Sequence, residues 1–143
     1  MTFPIIATGL GAGLIILQYL LMLNVGMHRF ATSVGVGSGT DQHLERKVRR
    51  HGNLAENAAL FLVMLGFVEA YGAPDNVVIG FAAAFGVARL LHAIGFSSLD
   101  GSHNPEAKNK FFLMARAIGA FGTAFSGLGL GGYALYLMRD LVI

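Results

Sequence analysis

Arg49, Asn53 and Glu56 stand at i, i+4 and i+7 at the head of an apolar stretch, so on a helix they share one face. A guanidinium, an amide and a carboxylate on one face suit a zwitterionic, peptide-like ligand. Arg pairs bidentately with a carboxylate. Glu accepts from an ammonium, and Asn serves both sides of an amide. A second set, Arg89, His92 and Phe96, repeats the pattern at i, i+3 and i+7, and Arg116 stands early in the last apolar run. The same residues also permit a structural Arg–Glu network that closes a helix bundle, and spacing alone leaves both readings open. Snorkelling to lipid headgroups accounts for one Arg. It accounts poorly for several helix ends that bring charge to a common depth together with a carboxylate, because ionisable groups in membrane helices usually face a polar interior or cavity.

Other chemistries find less support. There is no Cys, which excludes disulfides, thiolate metal sites and thiol catalysis. His28, His43, His51, His92 and His103 include no pair at i, i+4, so no metal site is expected. The small-residue stretch Ala31 to Thr40 has no following Gly-Lys-Ser/Thr and reads as a flexible linker, not a phosphate loop. A formal charge of +2 is too small to indicate nucleic acid as a partner.

The elements that must position these groups are membrane helices. Of the 143 residues, 55% are hydrophobic and 13% charged, and the mean hydropathy is +0.62. A soluble domain carries about 25% charged residues, and a small one leaves much of its surface in water. Phe3 to Val25 is an uncharged run longer than the roughly 20 residues a helix needs to cross a bilayer core. No basic residue precedes it, so a retained span is expected in place of a cleaved signal peptide. Further runs cover Asn53 to Tyr71, Asn76 to Phe96, and Phe111 to Met138, with Gly72-Ala73-Pro74-Asp75 as a tight turn. The expectation is an all-α integral membrane protein. It is one domain over 1–143 with four transmembrane helices at about 3–26, 53–71, 76–96 and 111–138. The runs are too long, and lack the alternation, for membrane β-strands.

Arg29, Arg46, Lys47, Arg49 and Arg50 fall in the first connection and Lys108 and Lys110 in the third, together seven of the ten Lys and Arg. The positive-inside rule then places both basic connections in the cytoplasm and both termini outside it. Gly127 with Gly131, Gly122 with Ser126, and Gly9 with Gly13 are four apart. That spacing permits close helix approach, within the subunit or between subunits.

Glu45-Arg46-x-x-Arg49-x-His51-x-Asn53-x-x-Glu56-Asn57 before an apolar helix resembles a signature of the MAPEG superfamily, the membrane-associated proteins in eicosanoid and glutathione metabolism. Arg89-x-x-His92 at the end of the third helix and Arg116-Ala117 at the head of the fourth extend the likeness over most of the chain. The resemblance implies a homotrimer of four-helix subunits, with glutathione as co-substrate bound between subunits near the cytoplasmic side. By motif position it implies that Arg49, Asn53 and Glu56 contact glutathione, with Arg29 (just after the first helix), His51, Arg89 and His92 as further contacts. Arg116 resembles the residue that stabilises the glutathione thiolate. An adjacent guanidinium favours the charged form of a thiol whose pKa is otherwise near ~8.5. Two departures point away from a specialised eicosanoid synthase and toward a general bacterial-type transferase. Phe96 stands where eicosanoid-making relatives carry Tyr, and the connection from Ser97 to Lys110 is longer than theirs.

The resemblance thus implies a microsomal glutathione transferase-like enzyme acting on lipophilic electrophiles in the bilayer, with glutathione-dependent peroxidase activity as an option. The alternative is a non-enzymatic lipid-binding member of the same superfamily. The full Arg49/Asn53/Glu56 set and Arg116 favour the enzyme, and Phe96 slightly favours the alternative. A small transporter fits less well, because the polar groups cluster at one end and no inverted-repeat pair of broken helices is present.

Overall fold

A computed structural model describes residues 3–101 and 109–142; Lys108 and His103 lie outside the described residues. Four helices follow in chain order: α1 (Ile5–Thr32), α2 (Gln42–Tyr71), α3 (Asp75–Gly95) and α4 (Lys110–Val142), with a short 3-10 turn at Leu99–Gly101. Each of the four is long and apolar enough to cross a membrane, and no strand occurs among the described residues. The protein is an all-helical integral membrane protein.

Local chemistry sets the helix ends. Pro4 precedes α1 and offers no side-chain cap; the Glu69 carboxylate takes that role from α2, accepting from the Ile6 and Ala7 N–H groups at 2.8 Å each. These are first-turn donors that the helix cannot satisfy itself. Asp41 caps α2 by accepting from Leu44 N–H at 3.0 Å. Gly72, at φ 99°, ends α2; its N–H and that of Ala73 return to the Glu69 and Val68 carbonyls. A left-handed residue that closes a helix in this way is best tolerated as Gly.

The start of α2 corrects the sequence reading. The charged segment from Gln42 to Arg50, assigned above to a connection, is helical. Charge density suggested solvent-exposed loop, but Asp41 nucleates the helix and Leu44 is fully buried. The expected flexible linker is likewise organised, because Arg29 Nη1 donates to the Val34, Gly35 and Gly37 carbonyls at 3.3, 3.2 and 2.9 Å.

The core runs through the bundle around Leu14, Leu54, Phe61, Leu65, Val78 and Phe85, with the Phe61 and Phe85 rings stacked at 3.7 Å. Outward faces carry exposed Ile16, Leu60, Phe67, Phe125, Leu128 and Leu135, an apolar surface that water would not tolerate. The closest helix pair is α3 with α4. A Cβ on Gly119 would stand 2.5 Å from His92 N, and one on Gly122 would stand 3.0 Å from Ala88 Cβ. Gly122 therefore packs within the subunit, whereas Gly9, Gly13, Gly127 and Gly131 face open space in the single chain.

Candidate functional site

Alternating helix directions bring the C-terminal ends of α1 and α3 and the N-terminal ends of α2 and α4 to one end of the bundle. There a cavity of about 570 Å³ opens between α2, α3 and α4. Gln42, Glu45, Arg46, Arg49 and Asn53 line it from α2, with His92 and Phe96 from the end of α3, Leu99 from the short turn and Arg116 from α4. Of the residues expected from sequence, Arg49, Asn53, His92 and Arg116 meet here.

Arg116 enters because α3 and α4 nearly touch. A Cβ on Gly95 would stand 2.5 Å from the Arg116 backbone nitrogen, so glycine is required at that crossing. The Arg116 guanidinium donates to the Gly101 carbonyl at 2.7 Å and lies 4.4 Å from the centre of the Phe96 ring. Arg89 is 3% exposed and donates to the Asn53 carbonyl at 3.4 Å. It is a bundle residue that braces the α2 wall, which disposes of headgroup snorkelling for this position. Asn53 Nδ2 donates to the Arg49 carbonyl at 2.8 Å, and its amide oxygen meets no donor among the described residues.

Besides Arg89, which is behind the wall and not in the lining, three expected residues stand elsewhere. Arg29 lies within the last turn of α1, not after it, and holds the loop carbonyls described above. His51 is half-buried and lines neither this cavity nor its neighbour. Glu56 is exposed and belongs to a second cavity of about 540 Å³, set deeper between α2 and α4 beside Asn57, Phe61, Met64, Phe85 and Thr123. Seven residues of helix rise about 10 Å, so Arg49 and Glu56 share a face without sharing a cavity wall.

Sequence reasoning passed over Arg46, Glu45 and Gln42 as site residues. The signal was present: Gln42, Glu45, Arg49 and Asn53 continue one helical face, and they become visible once the helix is extended back to Gln42. Arg46 also donates to the Phe96 carbonyl at the end of α3.

The lining carries the guanidinium groups of Arg46, Arg49 and Arg116 and one carboxylate, that of Glu45, which accepts from Ser38 Oγ at 2.6 Å. Arg46, Arg49, Arg89 and Arg116 form no ion pair among the described residues, and the buried Nε groups of Arg46, Arg50 and Arg89 meet no acceptor there. Outside the cavity lining, His28 Nε2 lies 2.7 Å from an Asp41 carboxylate oxygen. His28 Nδ1 faces Lys47 Nζ at 3.0 Å and so accepts, which leaves Nε2–H to donate to Asp41. The His28 hydrogen bond, followed by that from Leu44 N–H, holds the Asp41 carboxyl below its ordinary value. The structural Arg–Glu network considered above is absent among the described residues, and no group of three or more His, Asp or Glu there could hold a metal ion.

Compared with known proteins, residues 7–136 match the model of the MAPEG family. No curated protein and no solved structure matches.

Proposed function

The chain belongs to the MAPEG family, and from that premise we propose that it is a membrane-bound glutathione transferase. In this reading it conjugates lipophilic electrophiles at the cavity between α2, α3 and α4. MAPEG membership covers glutathione transferases and also proteins that do no chemistry, so the cavity must decide. The observation that carries the reading is its excess of positive charge, three guanidinium groups against the single carboxylate of Glu45. Arg46, Arg49 and Arg116 line about 570 Å³ with no carboxylate paired to any of them among the described residues. Arg49 is exposed and Arg46 and Arg116 are half-buried, so their guanidinium groups are open to an anionic ligand in the cavity. Glutathione supplies two carboxylates, an ammonium and a thiol at neutral pH.

Each group then has a task. Arg49 and Arg46 take carboxylates, bidentately where geometry allows. The free Asn53 amide oxygen accepts from a peptide N–H. Arg116, fixed at the head of α4, faces the sulfur and favours the thiolate. This preorganised charge acts where charge develops, which is the most effective place for it. Glu56 binds the ammonium from one turn deeper, at the rim of an apolar cavity that would admit the lipophilic electrophile. His92 orients the wall, and Arg89 shapes α2 from behind. Arg29 and His51 contribute only if a neighbouring subunit brings them to the site. The open Gly9, Gly13, Gly127 and Gly131 faces are consistent with a homotrimer whose subunits complete the site. The basic ends of α1 and α2 support placing this end of the bundle in the cytoplasm. Glutathione-dependent peroxidase activity would use the same thiolate.

Lipid binding without chemistry is the second reading. The apolar cavity beside Glu56 favours it, and the cluster of unpaired cations does not. Calorimetry of glutathione binding to the purified protein in detergent separates the two, with ultraviolet absorbance of the bound thiolate titrated against pH. Binding together with thiolate near neutral pH is expected. Binding of lipid but not of glutathione removes the transferase reading.

A further inference from the structure

Phe96 is an apolar ring, 7% exposed, in a wall made mostly of guanidinium, amide, carboxylate and imidazole groups, with Leu99 beside it. Its backbone is held on both sides. The N–H donates to the His92 carbonyl at 3.1 Å, and the carbonyl accepts from Arg46 of α2. The His92 ring flanks the Phe96 ring at 5.0 Å and a 50° tilt. On the ring face, 4.4 Å from the centroid, stands the Arg116 guanidinium. A guanidinium within about 6 Å of an aromatic face is attracted by the ring quadrupole.

Arg116 has one further anchor, the Gly101 carbonyl at 2.7 Å, at the far end of the turn that begins at Phe96. A ring face and a carbonyl therefore fix the guanidinium on two sides, while the side chain still lines the cavity. A guanidinium has five N–H donors. The Gly101 bond occupies one, and the ring contact occupies none. Phe96 thus constrains Arg116 without consuming the donors that a ligand would use.

We propose that Phe96 is the positioning residue for Arg116: its ring face, and not a hydrogen bond, holds the guanidinium where the ligand sulfur develops charge. This rests on the reading of Arg116 as the thiolate partner. A Tyr would keep the ring face; an aliphatic side chain would keep the burial and lose the quadrupole.

The test compares Phe96→Leu with Phe96→Tyr. Phe96→Leu should bind glutathione within about twofold of wild type, with KM nearly unchanged. Its kcat with a model aryl halide should fall about 3–10-fold, and the thiolate titration should move up by about 0.5–1 pH unit, the size of a partly desolvated cation–π contact. Phe96→Tyr should restore both. A wild-type rate and titration in Phe96→Leu overturn the proposal, as does a loss that Phe96→Tyr does not restore. Phenylalanines with one, two and three ring fluorines at position 96 keep the shape and weaken the quadrupole stepwise. They decide the matter even where Phe96→Leu does not fold: kcat should fall with each fluorine, and a flat series overturns the proposal. One readout needs no glutathione. Phenylglyoxal should modify Arg116 in the ligand-free protein about 3–10-fold faster in the trifluorinated variant than in wild type, read by peptide mass. If wild type binds no glutathione, the proposed function fails and this measurement still judges the positioning. If glutathione forms thiolate and Arg116 reacts equally in every variant, the positioning alone fails.

Discussion

The middle of α2, at Glu56, and its C-terminal end, at Glu69, carry the same side chain in opposite circumstances. Glu69 is 8% exposed, and both of its oxygens are committed, accepting from the Ile6 and Ala7 N–H groups of α1 at 2.8 Å each. Glu56 is exposed, makes no hydrogen bond or ion pair among the described residues, and sits at the edge of an apolar cavity. The Glu69 end is closed: a carboxylate meets the orphan donors and the positive end of a helix dipole, and the cost of burying it is offset on the spot. The other end is open, with guanidinium groups around a cavity and no carboxylate paired to them among the described residues. A charged group at membrane depth is therefore not in itself the mark of a site. The mark is a charge whose partner is missing from the fold.

The comparison breaks most visibly at Arg116. Arg116→Ala should lower turnover with an aryl halide at neutral pH by about 100–1000-fold, since an adjacent opposite charge shifts a thiol by about 1–3 units and also stabilises the transition state. Glutathione affinity measured by calorimetry should change by less than about fivefold, because the charge acts mainly on the sulfur. Equal losses in binding and turnover would make Arg116 a recognition residue.

At the closed end the expected loss is in stability. Glu69→Ala removes two charge-assisted hydrogen bonds and strands one buried and one half-buried donor, so it should destabilise the protein by about 2–3 kcal/mol. Thermal unfolding in detergent is the measurement. Folded protein that remains should bind glutathione as wild type does. An unchanged melting temperature would mean that water or lipid satisfies the α1 terminus equally well.

At the open end the pattern should invert. Glu56→Ala and Arg49→Ala should each weaken glutathione binding by about 1–2 kcal/mol, with melting temperatures within experimental scatter of wild type. Destabilisation without loss of binding would show that Glu56 has a structural partner supplied by a neighbouring subunit, and it would erase the contrast with Glu69.

The smallest effect concerns Asp41, which caps α2 and pairs with His28. Its folded-state pKa is lowered, first by the His28 hydrogen bond and then by Leu44 N–H. A depressed carboxylate contributes stability above its unfolded value of about 3.8 and loses it as the pH falls through the lower folded value. An acid-unfolding titration should therefore show wild type outlasting Asp41→Asn at neutral pH, with the two converging below about pH 4. Parallel curves at all pH values would remove the linkage.

Much of this architecture was legible without coordinates. Long, predominantly apolar runs dictate membrane helices whatever packs beside them, because a bilayer satisfies no backbone group and a helix satisfies its own. Four such runs in alternating directions were enough to bring Arg49, Asn53, His92 and Arg116 to one end. The helical face from Gln42 to Asn53 was also local information, obscured only by its charge density. The contacts were a different matter. Spacing sets the direction in which a side chain leaves its own helix, but not what stands opposite. It could not show that Arg29 would turn to the loop carbonyls, Arg89 to the Asn53 carbonyl or Arg46 to the end of α3. Nor could it show that Glu69 would cap α1 while Glu56 stayed open, or that Phe96 would lie against Arg116. Long charged side chains take the nearest acceptor, which only the packing of the helices decides; for Phe96 and Arg116 it is the close approach of α3 and α4 that the glycines at 95, 119 and 122 allow.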